Sequence, residues 1–497
     1  MGKAWLLVSL GILTCCRGDS PGEPAPPTHR GIRLVGGNNV TDSVGAELRE
    51  PLTVEVRDSA GRIAPRGTLV HFNGLLRFVV DRLAPETQIA SLTSEFRDSL
   101  SLPTDERGRV SVRVKLWYYL GTARVAISVP GLSLADTARF TAGPGAAVRA
   151  VITPADTAIY AGKTFSLRGS TVDRWGYPRL DPVTWSVSGP GISVSPNGVV
   201  TANSVGRYSV EASTPVGIAR AGVSVIPEGS FVAWRLSDGA STLVSVNLDG
   251  SGLLTLASID NGGGSPIQAT WIPNTSSIIY NNRDPTQLVQ VLYQLDPTGG
   301  PRPVFPQRPP NVTHMAEPRV SADGQWLFFS GWATGCTFEY YCLHRSKLDG
   351  TSLENLDQFV RGPSVSWHPA PSPDGSMVAY ATLLSAGEAI KVLDILNRRV
   401  LPWTVTGTYP NWSPSGVDIA FINLGGVLML VNPGGIERRL SEFGYNFNQE
   451  PFSWSQDGRW ILARAAGFLS LVQYPSGTVL PLRHFTDLRA PALRLAH

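Results

Sequence analysis

Four phrases in the C-terminal half of this chain say nearly the same thing: "EPRVSADGQWLFF" (317–329), "PAPSPDGSMVAY" (369–380), "YPNWSPSGVDIAF" (409–421) and "EPFSWSQDGRWILA" (450–463). They recur about every 40 to 50 residues, a period that demands an array of similar supersecondary units. Each unit reads strand by strand. A first strand ends at a serine, and a tight turn follows: Ser321-Ala322-Asp323-Gly324, Ser372-Pro373-Asp374-Gly375, Ser413-Pro414-Ser415-Gly416 and Ser455-Gln456-Asp457-Gly458. Proline suits an early turn position, and glycine tolerates positive φ at its end. The apolar strands "WLFF", "MVAY", "DIAF" and "WILA" come next. A third strand then leads through a second turn into a fourth. "VNLDGSGLLTL", "YQLDPTGGPRPVF", "SKLDGTSLENL", "LDILNRRVLPW", "VNPGGIERRL" and "QYPSGTVLPL" are six versions of that second turn. A weaker copy of the first hairpin lies at 267–280, with Asn274-Thr275 where Asp-Gly is expected.

Four strands per unit at this period predict propeller blades. The first unit, beginning at "FVAWR" (231–235), lacks its innermost strand, and "APALRLAH" (490–497) reads as the missing piece. A C-terminal strand donated to the first blade closes the ring and leaves no free sheet edge. The phrasing resembles the TolB-type propeller repeat. That resemblance implies a six-bladed β-propeller over residues 228–497.

Upstream, residues 32–145 alternate apolar and polar positions in short runs such as "PLTVEVRD", "GTLVHF" and "RVSVRVKLWYYL", as an antiparallel sandwich requires. With "TDERGRVSVRV" and "LGTARVAISV" they resemble the bacterial Ig-like domains of the invasin and intimin type, in which an Asp and a Gly serve a strand turn. Residues 146–227 carry "AGKTFSLRGSTVDRWGYP" and "VTWSVSGPGISVSPNGVVTA", which resemble the second common bacterial Ig-like family. There Trp185 is expected in the inter-sheet core and 198–202 in a hairpin strand. The expected fold class is therefore all-β: two Ig-like sandwiches, then the propeller. The sandwiches show no chemical constellation and read as spacers. With 51 glycines, 39 prolines and only 16% charged residues, the composition agrees with short strands joined by turns.

The N-terminus "MGKAWLLVSLGILTCC" has one lysine, an apolar run and small residues, the pattern of a secretory signal and too short for a stable membrane span. Its end resembles a bacterial lipoprotein box, with Cys16 as the lipid-attachment residue of a signal covering 1–16. Cleavage before Cys15 is the alternative, as is an ordinary signal with two incidental cysteines. Residues 17–31, Pro/Gly-rich and patternless, are expected to form a flexible tether; the "RGD" at 17–19 would lie against the lipid. The protein is thus expected in the cell envelope, anchored to a membrane. Cys336 and Cys342, six positions apart in an oxidising compartment, are expected to form a disulfide. The net charge of +3 and scattered Lys/Arg residues speak against nucleic acid as a partner.

Two places are candidates for a site. If both turn sets share one face, the opposite face carries long, irregular, aromatic loops, and loops on a rigid scaffold are where binding resides. Phe338, Tyr340, Tyr341, Trp367, Tyr445 and Phe447 are candidates for stacking on a ligand; the alternative is that they pack together as a lid. The second place is the channel rim, where Gln268, Glu317, His368, Tyr409, Glu450 and the apolar Ala490 open the innermost strands. Such a ring suits a cation, a basic group or a hydroxyl, or else is a hydrated mouth. No metal-ligating set, cofactor motif, nucleophile elbow or phosphate loop appears, and the seven histidines are scattered. The expectation is a non-enzymatic binding or scaffold protein engaging an envelope protein or glycan. The alternatives are a propeller hydrolase or lyase acting on an extracellular polymer, and a structural surface component.

Overall fold

The alternation of short apolar and polar runs is realised as strands throughout the described residues. The computed structural model describes residues 30–495, apart from 80–81, 238–239, 261–266, 310, 335, 337–340, 361–364, 386 and 443. Among these the chain is all-β, with no α-helix. It divides into two compact units, one comprising residues up to Arg149 with Val172–Arg179, the other Ala150–Thr171 with Leu180–His497.

In the first unit a four-stranded sheet (Gly31–Gly36, Leu52–Arg57, Arg109–Leu116, Thr87–Ala90) and a five-stranded sheet (Val40–Ser43, Leu134–Gly143, Gly121–Val129, Leu69–Gly74, Ser99–Pro103) share one core. The strand Arg109–Leu116 buries every second residue, Val110, Val112, Val114 and Leu116, as the period of two dictates. Its turns use one chemistry twice. The Asp58 carboxylate accepts the Ala60 and Arg62 amides before Gly61, and Asp105 accepts the Arg107 and Arg109 amides before Gly108. Both glycines sit at positive φ, +79° and +65°.

The second unit opens with small sheets around Val200, Val210, Ala221 and Val223, against which the partly buried Trp185 packs. Val199–Ala202 is the hairpin strand expected there. Only Pro227 and Glu228 separate strand Gly217–Ile226 from strand Gly229–Ser237, and Ile226 shares a core with Phe231, Leu471 and Leu480. The Tyr160 hydroxyl donates to Gly229 O, Ser224 Oγ to Pro481 O. The passage from 225 to 230 is thus a packed junction, because its apolar residues find a core to enter.

Six sheets of four or five strands follow among the described residues, five of them meanders that begin at the innermost strand. The innermost strands are Ala269–Trp271, Val312–Val320, Ser366–Pro371, Thr408–Trp412, Ser453–Trp454 and Leu488–Leu495. The last of these pairs antiparallel with Gly229–Ser237, so the C-terminal strand completes the first sheet. The array is propeller-like. The fourth sheet carries an extra short strand, Val405–Thr406.

The repeated turn explains the repeated serine. In the third sheet Ser321 Oγ donates to Asp323 at 2.5 Å and accepts the Trp326 amide at 3.0 Å, while the Gly324 amide closes the turn on Ser321 O. Ser372 and Ser455 repeat the arrangement with Asp374 and Asp457. In the second sheet, where the pattern departs, Asn274 takes φ +59° and the Thr275 amide still reaches Ile272 O. Asn is the residue that enters the left-handed region most cheaply after glycine.

A bulge interrupts the innermost strands of the third, fourth, fifth and first sheets. At each stands a residue before proline at positive φ: Glu317 (+59°), His368 (+52°), Tyr409 (+53°) and Ala490 (+47°). Left-handed backbone at non-glycine residues costs on the order of 1 kcal/mol each. Its recurrence at one repeat position marks where the strand re-aims side chains.

Candidate functional site

The sequence places the polar rim at the openings of the innermost strands. The bulges put Glu317, His368 and Tyr409 inside them instead: Glu317 is the sixth residue of Val312–Val320. These three side chains meet across three sheets. One oxygen of the Glu317 carboxylate, 5% exposed, accepts from Ser330 Oγ and from the His368 amide, both at 2.7 Å; the other lies 2.7 Å from His368 Nδ1. Burial opposes ionisation of Glu317, but the His368 ring, the Ser330 hydroxyl and the His368 amide together hold its carboxyl below the usual carboxylate range. The His368 ring packs on Tyr409 with centroids 4.1 Å apart. Burial, then the charges of Glu317, Glu388 and Glu450, pushes the Tyr409 phenol up.

Glu450 and Gln268 do not join this group. Glu450 is clasped by Arg489 at 2.8 Å and faces Arg464 at 4.0 Å, whose other nitrogens donate to Leu488 O and Thr486 O. The amide of Gln268, a residue 2% exposed, donates to Asn281 Oδ1, while its side-chain Nε2 has no partner among the described residues. Among the described residues no three His, Cys, Asp or Glu side chains gather as a metal site.

Beside this cluster, toward the short-turn end, lies a cavity of about 460 Å³ that the sequence reading missed. Its walls are the C-terminal halves of the innermost strands, with Trp271, Trp412 and Trp454; Pro273, Ala322, Pro373, Pro414 and Gln456 from the turns surround it. Two of the indoles are fixed by neighbouring sheets: Trp271 Nε1 donates to Ala492 O at 3.0 Å and Trp454 Nε1 to Asn411 O at 3.1 Å. The third, Trp412 Nε1, is buried without a partner. One repeat position contributes Thr270, Arg319, Ala370, Asn411 and Ser453 to the lining. Arg319 is the charged member of that set. Burial lowers its guanidinium to about 10, against the opposing pull of Glu317. The visible signal was "EPRVS" beside "HPAPS" and "YPNWS": one charge at a position otherwise neutral. A larger cleft of about 780 Å³, between 205–228 and the sixth sheet, includes Asp457, Arg459 and Tyr474 but no buried charge.

The aromatic loop residues have varied fates. Phe338 and Tyr340 lie outside the described residues, as does Cys16. Cys336 and Cys342 form the expected disulfide. Tyr341 packs edge-on against Trp332 at 5.6 Å, and Trp332 against His314 at 4.4 Å. Trp367 is half-buried, edge-on to His368 at 6.1 Å. Tyr445 accepts from Arg207 at 2.7 Å, so its hydroxyl is engaged within the unit. Phe447 is a correction. It is 2% exposed and sits in the core with Phe452 and Trp454, because its backbone bridges to Ala465 and its amide donates to Gly426 O. It offers no face to a ligand.

No family model matches this chain, and no curated protein matches it. Solved structures do overlap with it. A chain of a nidogen/laminin complex shares 11% identity over 54% of this chain and 98% of its own, with a TM-score of 0.39. A hydrazine synthase of Kuenenia stuttgartiensis shares 12% over 54% and 46%, at 0.39. An oligogalacturonate lyase in complex with manganese shares 14% over 55% and 84%, at 0.33.

Proposed function

We propose that this chain is an exported, lipid-anchored, non-enzymatic binding protein of the cell envelope. In this reading Cys16 carries the lipid, two Ig-like sandwiches (32–145 and 146–227) form the stalk, and a TolB-like six-bladed propeller (228–497) engages a protein or glycan partner. The observation that supports it best is the cavity beside the innermost strands: preformed, walled by tryptophan and proline, with a few convergent polar groups, as binding pockets generally are. The neighbouring Glu317–His368 pair is tied into the strands around it.

The test uses the mature chain on an array of envelope glycans and against envelope proteins. Ala322 and Gln456 are exposed at the cavity mouth, so Ala322→Trp/Gln456→Trp obstructs it at little cost to the core. Binding is expected to be lost in this variant and kept in Tyr341→Ala/Trp367→Ala. The reverse pattern would return the site to the loop face, and time-dependent product release from a polysaccharide would replace the binding reading with the lyase one.

A further inference from the structure

We infer that the cavity is selective for a monoanionic carboxylate, with Arg319 as the group that binds it. This rests on the binding reading above and adds the chemistry of what is bound. Arg319 is half-buried on the cavity wall, where a guanidinium set among packed strands is ordinarily matched by a carboxylate. Arg319 is not matched. The hydrogen bond it makes is from one terminal nitrogen to Pro318 O at 3.0 Å, and among the described residues no carboxylate lies within ion-pair distance. The carboxylate whose charge acts on it, Glu317, has both oxygens committed to His368 and Ser330. A guanidinium offers five N–H donors in a planar fork that fits a carboxylate with two parallel bonds.

The other unpartnered polar groups of the lining have the same sense. Gln268 Nε2 and Trp412 Nε1 belong to residues 2% and 7% exposed, have no acceptor, and are donors. Of the polar lining, the Arg319 guanidinium is the cationic donor, and an unpaired cation on a cavity wall specifies an acceptor with a negative charge. One cation, close to the standing charge of Glu317, compensates a single charge and not two, which favours a carboxylate over a phosphate dianion. Trp271, Trp412 and Trp454 then supply apolar walls for the body that carries the carboxylate.

The experiment is calorimetric titration of the mature chain with benzoate and with its neutral counterpart benzamide, and then with inorganic phosphate. A charge-assisted bond to an unpaired guanidinium is expected to make benzoate bind at least roughly tenfold more tightly than benzamide. Phosphate is expected to bind more weakly than benzoate. Arg319→Met keeps the apolar stem and should bring benzoate down to the benzamide level; the comparison of probes on the unsubstituted protein stands even if that variant does not fold. Equal affinity of the two probes, both abolished by Ala322→Trp/Gln456→Trp, would overturn the charge selectivity and leave the cavity as a binding site. No heat with either probe, or binding indifferent to the obstructing pair, would overturn both. Phosphate binding tighter than benzoate would replace the monoanion with a phosphoryl group and also overturn the inference.

Discussion

Replacing Asp357 by Asn should make the protein more stable at pH 8 relative to its parent than at pH 4. Asp357 lies in the one-turn 3-10 helix Leu356–Phe359, where the Asn355 side chain caps its amide at 2.9 Å. Its carboxyl accepts the Leu343 amide at 3.0 Å, but burial outweighs that bond and pushes it from 3.8 up to about 7. In the window between those values the folded protein keeps a proton that the unfolded chain releases. The native state binds more protons, so the stability this group contributes is present below pH 4 and is lost as pH rises through about 7. At 1.36 kcal/mol for each tenfold change in proton affinity, the ceiling is about 4 kcal/mol, and partial solvent access reduces it to about 2–4 kcal/mol. Asn retains an oxygen for the Leu343 amide and cannot titrate. Urea unfolding of parent and variant, followed by tryptophan fluorescence from pH 4 to 8.5, gives the difference between them at each pH. Taking that difference cancels the carboxylates common to both. The expectation is a difference that grows with pH in favour of the Asp357→Asn variant. A difference flat to within about 0.5 kcal/mol, or growing the other way, would refute the assignment of a buried, proton-holding carboxyl.

Other outcomes follow from the same structure. Glu317→Gln keeps an oxygen for Ser330 and the His368 amide but removes the carboxylate beside His368 Nδ1, and should cost about 1–3 kcal/mol at neutral pH, by chemical denaturation. Because Glu317 titrates below the usual range, that penalty should shrink as the solution is acidified through its folded pKa, and a penalty independent of pH would count against the pair. Phe447→Ala should cost about 3–5 kcal/mol by cavity formation, whereas Tyr445→Phe, which removes only the bond from Arg207, should cost about 0.5–1.5 kcal/mol; equal effects would mean that Phe447 is not core. Gly375→Ala places a side chain at φ +67° and should lower stability by about 1 kcal/mol, while Asn274→Gly in the second sheet should be close to neutral or stabilising in the same unfolding assay.

Strands, turns and the return of the C-terminal strand to the first sheet could all be read along the chain. Those are local or repeated signals: alternation at period two, Ser-x-Asp-Gly turn chemistry whose bonds run over at most five residues, and a final strand conspicuous because the first unit lacked one. The Cys336–Cys342 pairing was legible for the same reason, being close in sequence. Packing alone settles where side chains go once strands bulge and sheets converge. Phe447 reads as a loop aromatic, but a single bridge to Ala465 turns it into the core. Tyr445 reads as a free ring, but Arg207, 238 positions away in the chain, takes its hydroxyl. Arg319 stands in plain view inside a repeat, yet its lack of a counter-ion depends on Glu317 being held by His368 from the next sheet. Turn geometry is fixed by a few neighbouring dihedrals, which adjacent residues dictate. Burial, charge balance and cavity shape depend on contacts between residues far apart in sequence, which exist only after the sheets have packed.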